Sequence, residues 1–197
     1  MKNLAIIFLS VYLPVFFIHV KAQEYYSLQY TAAIPMNGLK DHIEKVSFRG
    51  VTVEYFSKIT PEIAAGVSLG WNGFYERKSY ATYQDGTASI SGIQFRYGKS
   101  VPIHVNGFYF LGKEGGINPF VGLGAGTIYT NLDTDMGLFH MEKDSWNFSL
   151  RPEIGFMYMF HDTFRSKFAF RYNKAFDTSA IQDPSFFSIS LGVVIVK

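Results

Sequence analysis

The chain has no cysteine among its 197 residues, and it carries little charge. Without thiols it has no disulfides, no zinc–thiolate sites and no thiol catalysis. Charged residues make up 17% of the chain, against about a quarter in a typical soluble domain. The formal net charge is only +2. A chain this close to neutral lacks the basic surface that nucleic acid requires, so we predict no nucleic-acid partner.

Long hydrophobic runs are also scarce, and the clearest one lies at the N-terminus. Lys2 precedes a nearly uninterrupted apolar run over 4–18, and small residues occupy the −3 and −1 positions of a junction that follows Ala22. This is the pattern of a cleaved export signal. A membrane anchor is the alternative, but the run is shorter than the about 20 apolar residues of a spanning helix and contains a proline. We therefore predict a signal peptide over 1–22 and a mature domain over 23–197.

Helical periodicity is hard to find in the mature chain, whereas alternation of large apolar residues with small or polar ones recurs eight times. The alternation is clearest in the last segment. Such a period of two predicts β-strands with one apolar face. The long segment 89–110 keeps one phase throughout, which favours a single strand. We predict strands over 24–33, 46–56, 62–75, 89–110, 118–130, 146–160, 167–174 and 187–196.

The connections between these strands alternate between short and long. The short ones are 57–61, 111–117 and 161–166, and the long ones are 34–45, 76–88, 131–145 and 175–185. Outer-membrane barrels have this asymmetry, with short periplasmic turns and longer extracellular loops. Closure into a barrel also satisfies every backbone donor and acceptor in lipid. The sequence therefore predicts an all-β fold, an eight-stranded antiparallel up-and-down transmembrane β-barrel.

Two features predict that the apolar faces of the strands point outward. Several glycines lie on the opposite face, as a cramped interior requires: Gly66, Gly70, Gly122, Gly124 and Gly126. Aromatic residues lie near both ends of the apolar face, as in the girdles of membrane barrels. Those toward the long loops are Trp71, Tyr75, Tyr129 and Trp146, and those toward the short turns are Tyr55, Tyr109, Tyr158 and Phe168. A soluble barrel with the apolar face inside is the alternative.

Seven charged or titratable residues fall on the inward-facing phase, and we predict that they form a polar network in the lumen. They are Glu54, Arg96, His104, Arg151, Glu153, Lys167 and Arg171. Charges in a narrow barrel are costly unless they are paired and hydrogen-bonded. We therefore expect a structural ion-pair network that fills the lumen. A gate or small-solute path with exchanging pairs is the alternative.

Several segments resemble the small outer-membrane β-barrel proteins of Gram-negative bacteria, of the OmpX and OmpA-barrel type, and especially a group common in the Bacteroidetes. The resemblance covers 23–197 and rests on the junction after Ala22 and on the segments 118–126, 150–155 and 188–193. It implies a monomer in the outer membrane, with lipid, lipopolysaccharide and the assembly machinery as partners. Such barrels often end in an aromatic residue that the machinery reads, whereas this chain ends in Lys197.

No catalytic, cofactor or metal site is predicted. Some barrels of this size modify lipid A with a histidine and a serine on a late strand, but the comparable stretch 170–177 contains neither. The acidic residues of the third long loop lack the spacing of a dedicated calcium loop; they are Asp133, Asp135, Glu142 and Asp144. We predict a non-catalytic barrel with a structural role, or with an interaction or adhesion role in which the long loops bind an unknown extracellular partner. A lipid-A-modifying enzyme and a lipid-binding or small-solute barrel are the alternatives.

Overall fold

The computed structural model describes residues 23–85, 88–112, 116–137, 139–177 and 181–197, and for 83–85 and 88–90 it describes only the backbone. The predicted signal peptide over 1–22 lies outside the described residues, so its boundary stays a prediction. Within the described ranges, none of the helical segments has the length and apolarity to cross a membrane.

Eight antiparallel strands close into one barrel, in which each strand pairs with its neighbours along the chain and the first pairs with the last. The strands are β1 (Glu24–Pro35), β2 (Ser47–Lys58), β3 (Ile63–Asp85), β4 (Ala88–Phe110), β5 (Ile117–Met136), β6 (Phe139–Met159), β7 (Phe164–Ala175) and β8 (Phe186–Val196). A short helix, α1 (Asn37–His42), lies between β1 and β2. The predicted eight-stranded up-and-down barrel is confirmed, and so is the prediction of one long strand over 89–110.

The apolar face of each strand points outward. On β1, Leu28 is 61% exposed while its neighbour Gln29 is fully buried. The same alternation continues around the barrel, where Val53, Val67, and Val105 are exposed. An outer surface of aliphatic side chains suits lipid and not water. The soluble alternative, which places these residues inside, is therefore wrong.

Two of the predicted long loops are mostly strand. The segment 76–88 belongs largely to β3 and β4, and the segment 131–145 largely to β5 and β6. The pairing continues there, for example between Glu76 and Arg96. These ends carry polar residues on both faces, so they lack the apolar alternation on which the strand prediction rested. The predicted loop 34–45 also contains α1.

Apolar side chains fill both ends of the barrel interior, so the predicted polar lumen is polar only between them. The turn-end cluster lies near the short turns and consists of Tyr25, Phe56, Ala64, Phe108, Phe110, Phe120, Met157, Ala169, Val194 and Val196. The mouth cluster lies at the other end and consists of Ala33, Leu39, Ile43, Phe74, Ile128, Leu132, Ala175, Ile181 and Phe186. Both clusters keep water away from the polar middle, where electrostatic interactions are consequently stronger.

Candidate functional site

A cluster of five charged side chains occupies the middle of the barrel. We call it the lumen ion cluster; it consists of Glu54, Arg151, Glu153, Lys167 and Arg171, each at most 2% exposed. Lys167 lies between the two carboxylates, with its Nζ 2.6 Å from Glu54 Oε2 and 2.9 Å from Glu153 Oε1. Because β2 and β7 are not adjacent, the bond from Lys167 to Glu54 spans the lumen.

The two arginines complete the cluster from the lumen faces of β6 and β7. Arg171 places Nε 2.9 Å from Glu153 Oε2 and Nη2 3.2 Å from Glu54 Oε1. Arg151 Nη2 lies 3.2 Å from Glu54 Oε1 and 2.8 Å from Asn106 Oδ1. Each carboxylate thus has several donors, as buried charge requires.

The lumen ion cluster also contacts the turn-end cluster beneath it. The Lys167 ammonium lies 4.5 Å from the ring centroid of Phe108 and 4.7 Å from that of Phe120. An ammonium over an aromatic face gains electrostatic attraction that grows when water is excluded. The aromatic rings at this end of the lumen therefore stabilise the same Lys167 ammonium group that pairs with the two carboxylates.

The structure places the other two predicted lumen residues differently. His104 Nε2 lies 2.6 Å from Ser149 Oγ in the buried interior. Arg96 lies outside the lumen ion cluster and is only half-buried; its Nη1 donates to the carbonyl oxygens of Asp41 and His42 at 3.3 and 2.8 Å. Arg96 therefore holds α1 over the mouth of the barrel. The prediction placed it in the lumen network because strand parity fixes the face on which a side chain lies but not its height along the barrel axis.

The close contact of His104 with Ser149 was missed at the sequence level, because the two residues are 45 positions apart on β4 and β6. A serine bonded to a histidine can serve as an activated nucleophile when an acid orients the ring and substrate can reach the hydroxyl. Ser149 is fully buried, and His104 Nδ1 has no hydrogen-bond partner in the described structure. The geometry favours a structural hydrogen bond over a catalytic one.

The mouth of the barrel is covered by α1 and the residues that follow it. Leu39 and Ile43 are fully buried in the mouth cluster. The backbone N–H of Glu44 donates to Glu76 Oε2 at 2.8 Å, and the Glu44 carboxylate accepts a bond of 2.8 Å from Lys78 Nζ. Apolar anchoring and polar bonds to β3 therefore hold this segment in place.

Four strands continue beyond the barrel wall as a protruding sheet, formed by the ends of β3, β4, β5 and β6. Pairing of β2 with β3 ends at Asn72, and pairing of β6 with β7 begins at Ser149. The strand pairs within the protruding sheet continue above these points. Residues 139–144 of β6 are exposed without exception. The β6 edge of the sheet therefore presents backbone N–H and C=O groups that no neighbouring strand covers.

A group of acidic residues and one histidine lies on a single face of the protruding sheet. Asp133, His140 and Glu142 bring one potential metal ligand each to within 4.8 Å of one another. Asp135 Oδ1 lies 2.6 Å from His140 Nδ1, and Asn131 Nδ2 donates to Glu142 at 2.6 Å. Since these groups have partners within the protein, the absence of a metal here stays our prediction.

Protonation of His140 is expected to stabilise this hairpin. The hydrogen bond that the protonated His140 ring donates to Asp135, helped by the charges of Asp135, Asp133 and Glu142, raises the pKa of His140 above its ordinary value. The stabilisation is therefore fully present below the unfolded pKa of about 6.5 and is lost as the pH rises through the higher folded pKa. An NMR titration of the imidazole measures it. Asp135→Asn should shift the midpoint down, and an unchanged midpoint in that variant would contradict the assignment.

Sequence comparisons identify no relatives of this chain. No protein-family model matches it, and no curated protein matches it.

Solved structures of outer-membrane proteins, in contrast, match across most of the chain. A major outer-membrane protein of Thermus thermophilus matches 89% of this chain and 100% of its own, with a TM-score of 0.59 and 12% identity. OprG of Pseudomonas aeruginosa matches 89% of this chain and 96% of its own, with a TM-score of 0.57 and 15% identity. The third structure is Ail, the attachment invasion locus protein of Yersinia pestis, in complex with the heparin analogue sucrose octasulfate. It matches 89% of this chain and 99% of its own, with a TM-score of 0.57 and 13% identity.

The chain has the fold of the small eight-stranded outer-membrane β-barrel proteins. Identities this low show the fold alone, so what the matched proteins bind does not carry over with it. The Bacteroidetes subgroup stays a prediction.

Proposed function

We propose that the protein is a non-catalytic integral barrel of the outer membrane, exported by a signal peptide over 1–22, with a closed lumen and an interaction surface on its protruding sheet. The likeness to outer-membrane proteins supports the location. The exposed aliphatic band supports it independently, since such a surface is stable only in lipid. The barrel is proposed to act as a monomer that the outer-membrane assembly machinery inserts.

The predicted aromatic girdles support the same placement. Trp71 and Trp146 are exposed near the protruding sheet, and Tyr109 and Tyr158 are exposed near the short turns. Amphipathic rings at two levels suit the two membrane interfaces. Basic residues near the mouth could meet lipopolysaccharide phosphates, although most have acidic partners: Lys78 with Glu44, Lys99 with Asp133 and Lys174 with Asp183. Exposed Arg49 is the strongest candidate for a phosphate contact.

The proposal of a closed lumen rests on three clusters of side chains that fill the barrel interior one after another. The turn-end cluster, the lumen ion cluster and the mouth cluster follow one another along the barrel axis, and α1 covers the last of them. Eight strands leave an interior that side chains can fill. We therefore propose a structural role for the charged residues, and not a path for solutes.

The interaction role rests on one observation, the uncovered β6 edge of the protruding sheet. An exposed edge can pair with an extended segment of another protein, whose main chain then adds a strand. The Met159 N–H donates to the carbonyl of Gly116, the residue before β5, and the Phe148 carbonyl accepts from Phe176. The N–H and C=O groups of one strand residue point to the same side, and successive residues alternate between the two sides. Because β6 pairs with β5 in an unbroken register, the even-numbered residues between 139 and 148 direct their N–H groups to the open edge. Glu142 therefore presents its N–H to a partner strand.

A proline at Glu142 tests this role. Glu142→Pro removes one edge donor and leaves the bonds to β5, whereas Glu142→Ala changes only the side chain. We expect Gram-negative cells that display the protein to be retained on surfaces coated with extracellular-matrix proteins, and Glu142→Pro to remove most of that retention while Glu142→Ala keeps it. Both variants should show the heat-modifiable gel mobility of a closed barrel. Equal retention of the two variants, or none for the unmodified protein, would contradict the role.

Lipid A provides the test against the enzyme alternative. Lipid A from cells with and without the protein is expected to have the same mass spectrum, because Ser149 is buried beyond the reach of a lipid. An acyl chain gained or lost when the protein is present would contradict the non-catalytic proposal.

A further inference from the structure

The N-terminal end of α1 is anchored to the loop before β8 by residues in strained backbone conformations. The Asn37 side chain donates to Asp183 Oδ2 at 2.8 Å, and the Gly38 N–H donates to the Asp183 carbonyl at 3.1 Å. Asn37 and Asp183 both have left-handed backbone conformations, with φ angles of 47° and 39°. Such a conformation costs energy for a residue with a Cβ, and it persists only where surrounding contacts hold it. The closed position of α1 therefore depends on its anchors.

The C-terminal end of α1 places a histidine against the protruding sheet. The His42 carbonyl accepts from Arg96 Nη1 at 2.8 Å, and the His42 ring has a backbone hydrogen bond at Asp133 of β5. The ring nitrogen Nε2 is buried and has no hydrogen-bond partner in the described structure. A carbonyl only accepts, so the proton of the neutral ring lies on Nδ1 and Nε2 is bare. Protonation would add an N–H at a buried position that offers it no acceptor.

Three strands bring charged groups to the His42 ring, and two of the three groups are cations. Arg96 of β4 and Lys143 of β6 disfavour a charged ring, whereas Asp133 of β5 favours it. Burial, followed by the charge of Arg96, lowers the pKa of His42 below its ordinary value. The neutral ring therefore stabilises the closed position of α1 above the ordinary pKa of about 6.5. This stabilisation is lost as the pH falls from there through the lowered pKa.

The other charged groups that hold this segment bond to one another. On β3, Lys78 Nζ lies 3.2 Å from Glu76 Oε1 and 2.8 Å from Glu44 Oε1. At the opposite end of α1, Asp183 accepts from Lys174 of β7. These groups influence the His42 ring less than Arg96, Lys143 and Asp133 do.

We propose that α1 is an acid-sensitive lid, which protonation of His42 releases from the protruding sheet so that the mouth cluster is uncovered. The new charge lies beside the Arg96 guanidinium, which bonds the carbonyl of the same residue, so repulsion weakens that anchor. The Nε2–H gains a hydrogen bond only when the ring turns into water. Leu39 and Ile43 leave the mouth with the helix, while the lumen ion cluster beneath stays in place.

A single cysteine can report the position of the lid, because the chain has no thiol of its own. Leu39→Cys places a thiol on the buried face of α1, and Lys40→Cys places one on the exposed face. Labelling by a water-soluble thiosulfonate is followed in lipid nanodiscs from neutral to acidic pH. The ratio of the two rates corrects for titration of the thiol itself. We expect the ratio of buried to exposed labelling to rise about tenfold on acidification, because the lid opens.

Two histidine variants separate this lid from a general effect of acid. His42→Gln cannot be protonated but still offers a donor to the Asp133 carbonyl, so it should make the labelling ratio independent of pH. His140→Gln, which changes an exposed histidine of the protruding sheet, is the matched control and should keep the rise. A constant ratio in the parent cysteine pair, or the same rise with His42→Gln, would overturn the proposal.

Amide hydrogen exchange provides a measurement that needs no cysteine. The N–H groups of Gly38 and Ile43 are hydrogen-bonded in the closed lid. After correction for the intrinsic pH dependence of exchange, their protection should fall on acidification in the unmodified protein but not in His42→Gln. Amides of β4 within the barrel wall should stay protected in both. Unchanged protection of Gly38 and Ile43 in acid would overturn the proposal even if Leu39→Cys fails to fold.

Discussion

Glu54→Gln is expected to lower the free energy of unfolding by about 3–5 kcal/mol, because it removes a central acceptor from a buried ion cluster. The Glu54 carboxylate accepts from Lys167 at 2.6 Å, from Gln29 at 2.8 Å, and from Arg151 and Arg171 at 3.2 Å. A neutral amide keeps the volume but leaves three cations with a single carboxylate. The decrease in the free energy of unfolding therefore reports the uncompensated buried charge and not the creation of a cavity.

Equilibrium urea unfolding in lipid vesicles measures this change. Glu62→Gln, at an exposed turn, is the matched control and should stay within about 0.5 kcal/mol of the unmodified protein. The double variant Glu54→Gln with Arg151→Met restores an excess of one positive charge. It should therefore lose less stability than Glu54→Gln alone, since the two groups interact directly. A loss below about 1 kcal/mol for Glu54→Gln would show that the cluster is solvated, contrary to the buried arrangement.

The membrane part of the fold could be predicted because lipid outside and a packed lumen inside impose different residue types on the two faces. That contrast produced the alternation in segments such as 187–196, and the unbroken phase of 89–110 correctly gave one strand. Above the barrel wall the outer face meets water instead of lipid, and the buried inner face carries polar residues such as Glu76 and Gln94, so the contrast weakens. The strand ends between residues 76 and 88 consequently looked like loop, and only their pairing partners reveal them.

The candidate site could be predicted only in part from the sequence, for a related reason. Parity could put Glu54, Arg96 and Lys167 on one face, but contacts across the lumen depend on the height that the strand register gives each residue. Glu54 and Lys167 meet although their strands are not neighbours, whereas Arg96 lies higher and contacts α1. The bond between His104 and Ser149 depends on register in the same way. A single sequence carries no signal for these heights.

A charge placed on the outer surface midway between the proposed girdles distinguishes a membrane barrel from any soluble one. Ile103 is 42% exposed on β4. It lies six residues from Tyr109 of one girdle and six from Tyr97, which pairs with Tyr75 of the other girdle. We expect Ile103→Arg to lower the free energy of unfolding in lipid vesicles by about 2–4 kcal/mol, since a guanidinium at the midplane must leave water for hydrocarbon. In water, a residue this exposed would accept arginine at little cost.

The control for Ile103→Arg is Met141→Arg, on the protruding part of β6. Met141 is 46% exposed, close to the value for Ile103, so the two substitutions differ chiefly in the solvent that the new side chain meets. Met141→Arg should change stability by no more than about 0.5 kcal/mol. Equal, small effects at both positions would mean that the aliphatic band does not face lipid, and the proposed membrane placement would fail with it. A large loss confined to Ile103 would instead locate hydrocarbon between the girdles and water around the protruding sheet.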